Sequence, residues 1–263
     1  MTLTGYDKDM KAIITSGCSL SEPNHTGTWP KHLKDAYNPE YIILSGQGSI
    51  GTDLISRKAI YYCNEALKLY KAEEILCVVA FTTLHRASGL FNAQDPLPTK
   101  LRNHKNYIED YDRSPTWNQQ GCYFDSSTSE NTGWYFWNLW RDHDDFAYYF
   151  TYYQSFINLL EQYLFNMLAV KNFCDAKGIK FVFMFAEGDI PKSLFNNREH
   201  WALNHMFDEI FNNNPYYLNE PISTWVKQNL GDSYMGDELH PTCEGHKIYT
   251  EKVLIPHLEK NGI

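Results

Sequence analysis

The chain has 263 residues, 43% of them apolar, and a formal charge of −9. That length suits one α/β domain with an insertion, and no apolar run approaches the roughly 18 residues of a membrane span. A negative chain without a basic cluster argues against a nucleic-acid surface, where neutralised phosphates dominate affinity. The start, MTLTGYDKDMK, is polar and lacks the apolar stretch of a secretory signal, so a cytoplasmic location is expected, with later release left open. Six cysteines are scattered at 18, 63, 77, 122, 174 and 243 without a CxxC pair, which favours reduced thiols.

An apolar run from Ala12 to Ser16 predicts the first strand, and it gives way at once to Gly17-Cys18-Ser19-Leu20. After the loop SEPNHTGT, Trp29 to Tyr37 reads as a short helix with Thr28 before it and Pro30 in its first turn. Tyr41 to Leu44 is a second strand, ended by Ser45-Gly46-Gln47-Gly48. From Thr52 to Tyr70, apolar residues that include Ile55, Ala59, Tyr62, Cys63 and Ala66 recur at helical spacing. Ile75 to Phe81 is the near-continuous apolar run of a strand buried on both faces.

The order breaks between residues 87 and 146, a polar stretch rich in Asn, Asp, Gly and Pro and studded with tryptophans. Loops of that length are usually functional, so the stretch reads as a cap inserted over the strand ends. A helix from Phe156 to Ala176, a strand from Ile179 to Phe185, helices near Asn204 to Phe211 and Ile222 to Leu230, and a last helix from Cys243 to Glu259 complete the pattern. Strands alternating with helices predict a parallel sheet covered on both faces, in one domain over 1–263.

Open α/β sheets bind ligands at the carboxyl ends of their strands, which places Ser19 where chemistry is done. The bland alternative is a turn serine bonded to its own backbone. Cys18 is a rival nucleophile, but neighbouring side chains at a strand exit point apart. Far along the chain, Asp237-Glu238-Leu239-His240-Pro241 supplies a carboxylate and an imidazole. Pro241 keeps His240 out of helical geometry, and an imidazole oriented by Asp237 is the base a serine hydroxyl needs. Gly46 to Gly51 fits G-x-G-x-x-G, but it follows the second strand, and the next strand ends in Thr82-Thr83 without an acid for a ribose. Amides at such a turn stabilise an oxyanion as readily as a phosphate. The run Arg141-Asp142-His143-Asp144-Asp145 resembles a metal cluster but fits acids at a helix start better, and no metal is expected. Trp117 and Trp134 lie in polar sequence and either grip a substrate or pack a satellite core.

Three segments resemble, in order, the blocks of the GDSL-type, or SGNH, serine hydrolases. GCSLS at 17–21 is similar to the nucleophile block and carries that role onto Ser19; LSGQGS at 44–49 resembles the block whose glycine amide lines the oxyanion hole, carried onto Gly46. DELHPTCEGH at 237–246 resembles the last block and carries the acid and base onto Asp237 and His240. The sequence departs from the family at Cys18, where an Asp is usual, and after the third strand, where Thr82-Thr83-Leu84-His85-Arg86 has no oxyanion asparagine. Thr82 or Thr83 then stands in as a donor beside the Ser19 amide, with Arg86 adding positive charge.

The resemblance implies a three-layer α/β/α sandwich with a flavodoxin-like parallel sheet of about five strands. It also implies ester hydrolysis through an acyl-enzyme with neither metal nor cofactor. The aromatic insertion favours an acetylated carbohydrate over a long-chain lipid. The alternatives are a catalytically silent carbohydrate-binding protein on the same fold, an acyltransferase, and a nucleotide-binding protein using Gly46 to Gly51.

Overall fold

A computed structural model of the chain describes residues 10–22, 27–46, 50–83, 86–92, 132–138, 156–188, 201–212, 214–236 and 240–263. Five strands make one parallel sheet: β1 (Ala12–Gly17), β2 (Tyr41–Leu44), β3 (Ile75–Phe81), β6 (Lys180–Phe185) and the two-residue β7 (Tyr217–Leu218). Their order is β2-β1-β3-β6-β7, the flavodoxin-like arrangement, so the strand order reverses between β1 and β3. Register sets Thr15 of β1 beside Leu44 of β2, and Gly17 beside Ala80 of β3.

Every side chain of β3 is buried. Burying a residue such as Val or Phe contributes about 1.5–3 kcal/mol, which holds this apolar run at the centre of the sheet. Alternation sends Cys77, Val79 and Phe81 to one face, where α2 (Thr52–Ala66) and α3 (Phe156–Lys177) pack. On that face the Phe81 and Phe185 rings both lie within 6.3 Å of Tyr163 of α3, and Phe183 and Phe185 meet Phe211 of α4 (Trp201–Phe211). The opposite face carries Met184, which receives the Tyr249 hydroxyl of α6 (Cys243–Tyr249) at 3.5 Å. There α6 packs against α1 (Trp29–Tyr37) and α5 (Ile222–Leu230), giving three layers.

The last helix is not the uniform one expected. A π turn, Thr250–Leu254, separates α6 from α7 (Ile255–Lys260), and the Ile255 N–H donates to the Thr250 carbonyl five residues back. Pro256 explains it: proline has no N–H, and its ring clashes with the carbonyl four residues back in an α-helix, so the ladder shifts just before it.

Within 87–146, where composition predicts a loop, two strands are described. β4 (Arg86–Asn92) and β5 (Thr132–Asn138) pair antiparallel as a separate ribbon, with Trp134 across from Leu90. The remainder of that stretch, including Trp117 and the acidic run at 141–145, lies outside the described residues. Three of the scattered cysteines, Cys63, Cys77 and Cys174, converge between α2, β3 and α3. Contact with Cys174, then burial, pushes the Cys63 thiol well above its ordinary value.

Candidate active site

β1 ends at Gly17, and the chain turns at once through a single 3₁₀ turn, Ser19–Ser21. The Ser21 N–H donates to the Cys18 carbonyl at 2.9 Å, and the Glu22 N–H to the Ser19 carbonyl at 3.1 Å. This exit separates the two candidate nucleophiles. Cys18 is fully buried in the core, while Ser19 stays partly exposed with its Oγ 2.7 Å from Nε2 of His240.

Two glycines make the turn possible. A Cβ on Gly17 would lie 2.2 Å from Ser21 Oγ, and one on Gly46 would lie 2.0 Å from the Ser21 carbonyl oxygen, closer than atoms approach. Gly46 is therefore required where β2 ends simply to let the Ser19 turn seat against it. The buried Trp29 indole, first in α1, donates from Nε1 to Ser21 Oγ at 2.9 Å and fixes the same turn from the other side. Ser21 and Trp29 were not singled out from sequence. Ser21 carries no signal beyond its place after Ser19, and Trp29 read only as a helix start.

His240 belongs to a loop closed on itself. Met235 and Pro241 form an antiparallel bridge, the Gly236 N–H donates to the His240 carbonyl at 2.7 Å, and the Thr242 N–H donates to the Tyr234 carbonyl at 2.8 Å. Thr242 then caps α6 by accepting from the Gly245 N–H at 3.2 Å. The imidazole is thus held between a backbone bridge and a capped helix, 221 positions from the serine that it meets. Asp237, between Gly236 and His240, lies outside the described residues.

The far side of the site is the end of β3. Thr82 and Thr83 follow Phe81 directly, and the hydroxyl oxygen of each is buried with no hydrogen-bond partner among the described residues. The Thr82 carbonyl is occupied, by the buried Tyr163 hydroxyl. Native proteins rarely leave buried hydroxyls unmade, so two consecutive ones mark a place equipped to donate. Beside β1, the buried Lys58 of α2 donates from Nζ to the Ser45 carbonyl at 3.3 Å and ties down the residue before Gly46. Arg86 opens β4, but its side chain is outside the described residues, as are Gln47, Gly48 and Ser49. The glycine turn follows β2, at the edge of the sheet rather than at the β1/β3 switch point, so a dinucleotide fingerprint lacks its usual setting. Ser19 and His240 thus pair a partly exposed hydroxyl with an imidazole able to take a proton from oxygen, and the neighbouring exit of β3, whose Ala80 lies beside Gly17, carries two buried hydroxyls without a partner among the described residues.

No protein-family model matches the chain, and no curated protein matches it. Among solved structures, it is similar to a carbohydrate esterase described as having an active site with divergent catalytic and non-catalytic binding functions. That likeness covers 98% of this chain and 70% of the other, at 11% identity and a TM-score of 0.37. At that level it carries no conclusion about chemistry.

Proposed function

We propose that the chain is a serine hydrolase of the GDSL type that cleaves an ester through an acyl-enzyme. The observation that carries this reading is the 2.7 Å contact between Ser19 Oγ and His240 Nε2 beside the sheet's switch point. In the proposed reaction His240 Nε2 takes the Ser19 proton as the oxygen attacks the ester carbonyl. The tetrahedral oxyanion is held by the Ser19 and Gly46 amides and by the Thr82 or Thr83 hydroxyl. His240 returns the proton to the leaving alcohol, and a water then repeats the sequence on the acyl-serine. Asp237 orients the imidazole from its other nitrogen. An acetylated carbohydrate is the proposed substrate class, with Trp117, Trp134 and Arg86 on its binding side; acyl transfer would differ only in replacing that water by a sugar hydroxyl.

A fluorophosphonate tests the reading, because a serine activated by a base reacts with it and a turn serine does not. One label is expected on Ser19, lost in Ser19→Ala and nearly lost in His240→Ala, with a residue of reactivity in Asp237→Asn and full reactivity in Cys18→Ala. Absence of label on the folded wild-type protein would sink the hydrolase and leave a binding protein on a hydrolase-like fold.

A further inference from the structure

Away from Ser19, three thiols meet in the core. Cys63 comes from the sheet-facing side of α2, Cys77 from the middle of β3 and Cys174 from the last turns of α3; all are buried, and their Sγ atoms lie within 4.8 Å of one another. The three elements are packed layers of one rigid core, so the sulfurs are brought together before any ligand arrives. From this juxtaposition we propose that Cys63, Cys77 and Cys174 form a three-sulfur site for a trivalent thiophilic metalloid, arsenic(III) or antimony(III).

Coordination number and charge choose the ligand class. Structural zinc takes four ligands, whereas the cluster among the described residues ends at three sulfurs, with no histidine or carboxylate completing it. Three thiolates around a divalent ion leave a net negative charge, and around copper(I) a larger one. Among the described residues, the charged group that acts on this cluster is Asp175, an acid beside Cys174, and no cation does. An uncompensated charge in a dry core is costly, so the complex that fits is neutral. A trivalent centre gives it. Arsenous acid, As(OH)₃, reacts with three thiols to form As(SR)₃ and three waters. Three As–O bonds break and three As–S bonds form, each thiol proton leaves on a departing hydroxide, and nothing is oxidised or reduced. The product is uncharged and pyramidal, with no fourth ligand required.

The site is separate from the proposed hydrolase. Cys77 of β3 and Thr82, which follows its end, are five positions apart, on the order of 16 Å at the rise of a strand. The test uses the full chain, kept reduced with a phosphine and exposed to arsenite in two ways: in the folded state and while refolding from urea. Native intact-mass measurement should find one arsenic atom gained and three protons lost, with a higher melting temperature and unchanged fluorophosphonate labelling. Arsenic X-ray absorption on the wild-type adduct should count three sulfurs and no oxygen, a readout that needs no variant to fold. Cys174→Ala should abolish the adduct, while Cys122→Ala and Cys243→Ala keep it. No adduct even after refolding, an oxygen in the arsenic shell, or an adduct that survives Cys174→Ala overturns the site. Stoichiometric zinc retained through dialysis overturns the charge argument that selected arsenic.

Discussion

Replacing Thr82 by valine separates a catalytic hydroxyl from a structural one, because it should move stability and activity in opposite directions. Thr82 is 2% exposed and its Oγ1 is buried without a partner among the described residues. A buried hydroxyl left unpaired costs about 1–3 kcal/mol, and an apolar group of the same shape removes that cost. Thr82→Val keeps the β-branched shape of the side chain, so the fold should gain a sum in that range. At this chain length each kcal/mol raises the melting temperature by roughly 2–4 °C. The same change should slow hydrolysis of p-nitrophenyl acetate by about 10²–10³, the effect of removing one oxyanion donor, and it should appear in kcat rather than in KM. Thr83→Val is the internal comparison: its hydroxyl is also buried and without a partner among the described residues, and only the one that faces the oxyanion should show the kinetic loss. Both variants melting higher with kcat unchanged would refute the oxyanion role. A lower melting temperature in Thr82→Val would refute the premise, since it would mean that the hydroxyl has a partner in solution.

Gly46→Ala forces a Cβ to within 2.0 Å of the Ser21 carbonyl oxygen, so the Ser19 turn must shift. Fluorophosphonate labelling of Ser19 should slow by about a hundredfold, the effect of an ångström-scale misplacement, with a lower melting temperature. Trp29→Phe removes the indole N–H from Ser21 Oγ and strands a buried hydroxyl, costing about 1–3 kcal/mol in urea unfolding. Adding Ser21→Ala in that background should recover part of the loss, as a double-mutant cycle reads. His257 is held below the ordinary histidine range, by burial first and then by Lys260, against a hydrogen bond to the Pro215 backbone. The unfolded chain therefore binds this proton more readily than the folded one. Stability should be full above the unfolded value of about 6.5 and fall as pH drops through it, until the depressed folded value is passed. His257→Gln should flatten that part of the melting-temperature profile, and a profile unchanged by the substitution would count against it.

The central strands were legible because burial on both faces leaves a mark that needs no partner to be seen. Ile75 to Phe81 is read from sequence with the bounds found and Ile179 to Phe185 begins one residue early, while the half-buried edge strand Tyr41 to Leu44 is legible only as a short apolar run. Elements that exist only through pairing left no such mark. β7 is two residues long, too short for a period, and is a strand only because Tyr217 and Leu218 sit beside Phe183 and Met184. β4 and β5 pair across a long stretch with no hairpin turn to announce it, so their register, Gly89 opposite Tyr135, is a tertiary outcome.

The candidate site divides along the same line. Ser19 and His240 were each visible as residue types in context, and the rule that ligands gather at the carboxyl ends of strands gave a reason to join them. The seat of the serine was not visible. Nothing local to Gly46 says that its missing side chain makes room for the Ser21 carbonyl, because that contact depends on how the exits of β1 and β2 lie side by side. The cysteines show the limit most plainly. Cys63 lay on the sheet-facing stripe of its helix, and Cys77 lay in a strand buried throughout, so each was assignable to the core. A periodic pattern fixes the face on which a side chain points, but not its height along a neighbouring element. That height comes from the parallel register of β1, β3 and β6 and from the packing of α2 on α3, and it is what turns three separate core cysteines into a cluster of sulfurs.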